Sequence, residues 1–189
     1  MESTSAYGTN NDQITLNLNS QVQTGDLVIA ACVSTTAAQP DWRNGISTPD
    51  ALPSITENGY LSQAFFAVAT SNGRPNLQFN LASRQFVACV AHVYRGGAAP
   101  SAPAAQIRTQ GSTTTATCGP ISASGGSVIF YFVAGLSAQA PQSSDFVQRE
   151  STIGEASGDA LVAASGTYQT DLDGGFTLGW GCTTLAFDP

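Results

Sequence analysis

Two stretches decide the fold: Gly25-Asp26-Leu27-Val28-Ile29-Ala30-Ala31-Cys32-Val33 and, about a hundred residues later, Gly125-Gly126-Ser127-Val128-Ile129-Phe130-Tyr131-Phe132-Val133-Ala134-Gly135. Each is a turn followed by an unbroken apolar run rich in β-branched and aromatic side chains. Such runs are too short for a helix and suit a strand buried on both faces. They are expected to form the two central strands of a β-sandwich.

Outward from these runs the chain reads as short strands punctuated by turn residues. Gln13 to Asn19 alternates apolar and polar residues, the pattern of a half-exposed strand. Asp41 to Tyr60 holds Gly45, Pro49, Pro53 and Gly59 among isolated apolar residues and predicts a long loop carrying Trp42. Strands are expected over Leu61 to Ala69, Asn76 to Leu81 and Phe86 to Arg95. A Pro/Ala connector follows from Ala98 to Ala105, which no central strand accommodates. The second half adds a Thr-rich strand between Ile107 and Cys118, short strands at Phe146 to Arg149 and Ala160 to Ala164, a turn at Asp171 to Gly175, and a closing strand up to Phe187. No stretch holds an amphipathic helix of ten residues. The expected class is therefore all-β: a two-sheet, jelly-roll-like β-sandwich spanning 13–189, with similar halves at 13–97 and 106–189 and a flexible, polar N-terminal arm at 1–12.

The halves share an order of events. Gly25 to Ile29 matches Gly126 to Ile129, Asp41-Trp42 matches Asp145-Phe146, and the last strand of each half falls in the same place. Trp42 and Phe146 are expected to close opposite ends of a common core.

Charged residues make up 10% of the 189, lysine is absent, and six Arg against thirteen Asp and Glu leave a net charge of −7. That balance lacks the basic footprint of a nucleic-acid binder. No run approaches the roughly 20 apolar residues of a membrane helix, and the first ten residues lack the basic start and apolar run of a signal peptide. The four cysteines, Cys32, Cys89, Cys118 and Cys182, form no CxxC pair, and three fall in apolar runs. They are expected to be reduced, buried hydrophobes of a protein folding in a reducing cytoplasm.

Chemistry is sparse. His92 is the single histidine, and no Gly-x-Ser-x-Gly elbow stands near it. Asp171-Leu172-Asp173-Gly174 begins like a calcium loop but lacks the later ligands. Glu150 with Glu155, or Asp171 with Asp173, offers carboxylate pairs whose separation sequence does not fix. The expectation is a chain with no catalytic residue, metal or cofactor. The residues singled out as partner contacts are Tyr7 on the arm and Trp42, Arg43 and Tyr60 in the 34–60 segment.

The order of the Gly-Asp run, a Trp after a Pro-containing loop, the strand Phe86-Val87-Ala88-Cys89-Val90-Ala91-His92-Val93-Tyr94-Arg95-Gly96 and the second Gly-Gly-Ser-Val-Ile run resembles jelly-roll structural proteins of tailed bacteriophages. The resemblance spans nearly all of 13–187 and rests on turn glycines and strand hydrophobics. It implies a non-enzymatic virion protein, foremost a capsid decoration or cement protein assembled in the host cytoplasm. Its implied partners are the major capsid protein and two further copies in a homotrimer, with neither nucleic acid nor membrane. The alternative is a receptor- or carbohydrate-binding module of a tail or head fibre.

Overall fold

A computed structural model of the protein describes residues 1–96, 102–135, 138–152, 154–174 and 179–189. The chain is all-β: among the described residues none is helical, and the strands form antiparallel sheets of β-sandwich type. It divides into two compact units, Met1–Ser54 with Gly59–Ala99, and Ile55–Asn58 with Pro100–Pro189.

The first unit contains β1 (Glu2–Leu16), β2 (Leu27–Ser34), β3 (Gln39–Arg43) and β4 (Asp50–Ala51); β5 (Ile55–Glu57) follows and belongs to the second unit; β6 (Tyr60–Val68) and β7 (Asn76–Tyr94) complete the first. The strand order is β1-β7-β2-β6-β4, with β3 on the N-terminal part of β7. β7 is long enough to serve two layers. Its Asn76–Asn80 part pairs with β3, and its Val87–Tyr94 part pairs with β2. Exposed Ala82, Ser83 and Arg84 separate the two parts, opposite register shifts of β1 between Gly8 and Gln13. A bulge adds local bend and twist, and here it lets one sheet turn over on its own core. Trp42, Leu77 and Phe79 from one layer meet Phe65, Val28, Cys32, Val87 and Cys89 from the other in a single buried cluster. Phe79 stacks tilted on Phe65 at 5.3 Å between ring centroids.

The second unit contains β8 (Ala105–Gly111), β9 (Thr115–Ala123), β10 (Val128–Ala134), β11 (Ala138–Pro141), β12 (Val147–Thr152), β13 (Glu155–Leu161), β14 (Gly166–Gly174) and β15 (Trp180–Phe187). A five-stranded sheet β12-β13-β10-β15-β8 and a three-stranded sheet β11-β14-β9 enclose a core of Ile129, Tyr131, Val133, Phe146, Leu172 and Trp180. Trp42 and Phe146 thus sit in separate clusters, one per unit, rather than at two ends of one core.

The two apolar runs are the central strands β2 and β10, and every residue of β2 is buried, as expected of a strand covered on both faces. Their entry turns are built alike. Gly25 N donates to Ala69 O, Asp26 N to Gln23 O and Ala69 N to Asp26 O; Gly126 N donates to Val162 O, Ser127 N to Ser124 O and Val162 N to Ser127 O. Gly25 and Gly126 hold φ of 92° and 91°, a left-handed conformation that L side chains resist. The order β1-β7-β2-β6-β4 also parallels β8-β15-β10-β13-β12, so the correspondence between the halves extends from turn chemistry to topology.

Three expectations change. Residues 2–12 are part of β1 and pair along β7 from Glu2↔Val93 to Asn11↔Gln85, so the polar start is a sheet strand rather than a free arm. Its end is tied down as well, since Glu2 accepts hydrogen bonds from the backbone and hydroxyl of Ser20 and from Asn19 N. Second, the 34–60 segment carries β3, β4 and β5 in place of an uninterrupted loop. Third, the cysteines are not reduced. Cys32 and Cys89 stand directly opposite on β2 and β7 and form one disulfide, and Cys118 of β9 joins Cys182 of β15 across the two sheets of the second unit in another. Separations of 57 and 64 residues make these pairings a product of topology that no local spacing signals. Of the Ala98 to Ala105 connector, residues 98–101 lie outside the described residues, as does Gly175 of the expected turn, while Asp171–Gly174 continue β14.

Candidate functional site

The four residues singled out as partner contacts separate into two groups. Trp42 is 7% exposed and packs edge-on against Phe79 at 5.8 Å, so it is a core residue and is withdrawn as a contact. Its position on β3, opposite Leu77 of β7, points the ring inward. Arg43, one residue on, faces solvent and holds Asp41 through Nε at 2.8 Å and Nη2 at 2.5 Å. That hydrogen-bonded pair lowers the Asp41 carboxyl and raises the Arg43 guanidinium from their ordinary values. Arg43 is therefore already committed to a local partner.

Tyr7 and Tyr60 are different: they are 52% and 41% exposed. The register places them on one face. Tyr7 opposes Ala88, Ala88 opposes Val33, and Val33 opposes Ser62, so all four project to the same side. Tyr60, two residues before Ser62, and Phe86, two before Ala88, share that side by the period of the strand. Tyr60 meets Phe86 edge to face, with centroids 5.9 Å apart. Tyr7, Phe86 and Tyr60 consequently form an aromatic strip along one end of the side of β1, β7 and β6 that faces away from the first unit's core; further along that side Val33, Ser62 and Ala88 are buried.

The turn beside the strip is fixed by one side chain. Gln85 Oε1 accepts from Thr35 N at 2.7 Å, from Thr36 N at 2.9 Å and from the Thr35 hydroxyl, while its Nε2 donates to Thr36 Oγ1 at 2.5 Å. Gln85 is buried and Thr35 exposed, so a satisfied amide holds an exposed hydroxyl-bearing turn in place. No motif marked Gln85 in the sequence.

The possible catalytic groups are placed as follows. His92 is fully buried on β7, with Nδ1 3.2 Å from Tyr94 Oη. Asp171 accepts from Thr117 Oγ1 at 2.8 Å and Asp173 from Thr115 Oγ1 at 2.9 Å, which makes both cross-strand partners in the β14–β9 pair. Glu155 is fully buried and neither carboxyl oxygen has a hydrogen-bond partner. Burial pushes its pKa well above the usual carboxylate range, and the charge of Glu150 adds to the effect. Four residues further along β13, Asp159, also buried, accepts from Arg149 Nε at 3.1 Å and Nη2 at 3.0 Å. Among the described residues no group of three or more His, Cys, Asp or Glu converges as metal ligands.

No family model matches the chain, and none of the curated proteins matches it.

Proposed function

We propose that the protein is a non-enzymatic structural component of a phage particle, foremost a capsid decoration or cement protein that binds the major capsid protein and associates as a homotrimer. The observation that carries the reading is the pair of buried disulfides, one in each all-β unit. Disulfides persist on virion and other extracellular surfaces and are rare among proteins that remain in a reducing cytosol. A subunit assembled in the host cytoplasm would complete them on leaving it. The sparse charge of the chain adds support, because Ser, Thr, Asn and Gln that find hydrogen-bond partners across a contact cost less to desolvate than charged side chains do. Many weak contacts repeated by symmetry would give firm attachment.

The test is reconstitution: purified protein is added to shells stripped of it, and bound protein is measured by co-sedimentation. Saturable binding with a fixed ratio to the major capsid protein is expected. A protein left wholly in the supernatant contradicts the reading.

The second reading is a receptor- or carbohydrate-binding module of a fibre. The strip of Tyr7, Phe86 and Tyr60 favours it, since aromatic rings grouped at the surface of a rigid sheet offer a partner apolar faces.

A further inference from the structure

We infer that the strip of Tyr7, Phe86 and Tyr60 with the Thr35 turn is a binding platform for a neutral oligosaccharide. The assignment builds on the glycan-binding reading, and it does not need the protein to be a particle component. Its geometry begins with the sheet order β1-β7-β2-β6, which sets Tyr7 and Tyr60 three strand spacings apart, roughly 14 Å between backbones. Phe86, on β7, lies between them and is half-buried. The strip is thus elongated, suited to several linked rings rather than one.

A sugar ring offers an apolar C–H face and a rim of hydroxyls. Aromatic faces match the former, and neutral hydrogen-bonding groups match the latter. Thr9 and Thr35, both exposed, occupy the same end of the sheet as the aromatics. The platform is preorganised: Tyr7 and Phe86 stand on paired strands, Tyr60 is braced by Phe86, and the Thr35 turn is held by Gln85. Preorganisation reduces the entropy lost on binding.

Charge decides for a neutral ligand. The ionic side chains of β1 and β7 are committed elsewhere. Glu2 bonds Ser20 at the far end of β1, and Arg84 pairs with Asp12 at 3.7 Å. Nothing in the strip supplies a cation for a phosphate, sulfate or carboxylate. A second copy of the chain as occupant would bring another neutral surface against the strip, and oligomer measurements separate that case.

The experiment is isothermal titration calorimetry of the full chain with maltohexaose, cellohexaose and N-acetylchitohexaose, alongside a sulfated hexasaccharide. Binding to at least one neutral hexasaccharide is expected. Tyr60→Ala and Tyr7→Ala should each weaken it about tenfold, the effect of losing one aromatic contact, while Tyr60→Phe retains most of it. The thermal midpoints of these variants should fall by no more than a few degrees, the loss of one surface ring contact, which separates lost binding from lost folding. The assignment is overturned by silence with all three neutral sugars, by preference for the sulfated one, or by binding that survives in the Tyr7→Ala/Tyr60→Ala double variant. A concentration-dependent oligomer that Tyr60→Ala dissolves would equally overturn it, giving the strip to self-association. Glycan binding by a chain absent from particles would leave this inference standing and remove the virion reading.

Discussion

At Glu155 a carboxyl group is sealed from solvent with both oxygens unpaired, so the folded chain favours its protonated form. Below about pH 4.5, the ordinary value, folded and unfolded states both hold the proton and the group contributes nothing to pH dependence. As pH rises further the unfolded chain releases its proton while the folded chain keeps it, so stability falls, by up to about 1.4 kcal/mol per pH unit, until the raised folded pKa is passed. Glu155→Gln should abolish this contribution, and urea midpoints measured from about pH 5 to about pH 8 should decline less steeply in the variant. Parallel profiles for the two proteins would contradict the burial argument. Glu2 works in the opposite direction. Burial raises its pKa, but hydrogen bonds from Ser20 and Asn19 outweigh that and lower it, so its tether is present above the ordinary pKa and lost as pH falls through the lowered one.

Gly158 and Trp42 give two further residue-level tests. A Cβ on Gly158 would stand 2.2 Å from the Val147 carbonyl oxygen and 2.7 Å from the Tyr131 ring. Gly158→Ala should cost about 3 kcal/mol or more, because the nearest atom is backbone in a paired strand and has little room to yield. Trp42→Ala removes a ring from the first unit's core and should cost about 3–5 kcal/mol by chemical denaturation. A near-neutral effect would restore Trp42 as a surface residue.

At the scale of elements, β1 is the strand whose role changed most. Glu2–Leu16 is nearly all polar because much of it is a half-exposed sheet edge, and only Ile14 and Leu16 turn fully into the core. Before Gln13 there is no apolar alternation to read, and pairing to β7 supplies what the side chains do not. Deleting residues 2–12 should therefore lower the thermal midpoint by uncovering the β7 backbone. An unchanged midpoint would return the segment to the status of an arm. β13 was half legible for a related reason. Its buried first residues, Glu155-Ala156-Ser157-Gly158-Asp159, are small or ionisable, so an apolar count starts the strand only at Ala160. The central strands and the last strand of each half announce themselves through long apolar runs, and the entry turns through Gly25 and Gly126. The aromatic strip is legible only after register is known. Tyr7 and Tyr60 are 53 positions apart in sequence, and strand pairing alone puts them on one face.

At the scale of the whole molecule, each unit combines its own core with its own disulfide. Removing either link, by Cys32→Ser with Cys89→Ser or by Cys118→Ser with Cys182→Ser, should cost about 2–5 kcal/mol. Thiol titration of the denatured, unreduced protein should find no free cysteine, and four after reduction. On the proposed reading, such cross-linking would suit a particle subunit exposed outside the reducing cytosol. The most direct measurement is quantitative mass spectrometry of purified phage particles, comparing copies of this chain with the major capsid protein. The decoration reading predicts hundreds of copies per particle, on the scale of a shell-wide lattice built by symmetric repetition. Absence from the particles would contradict it.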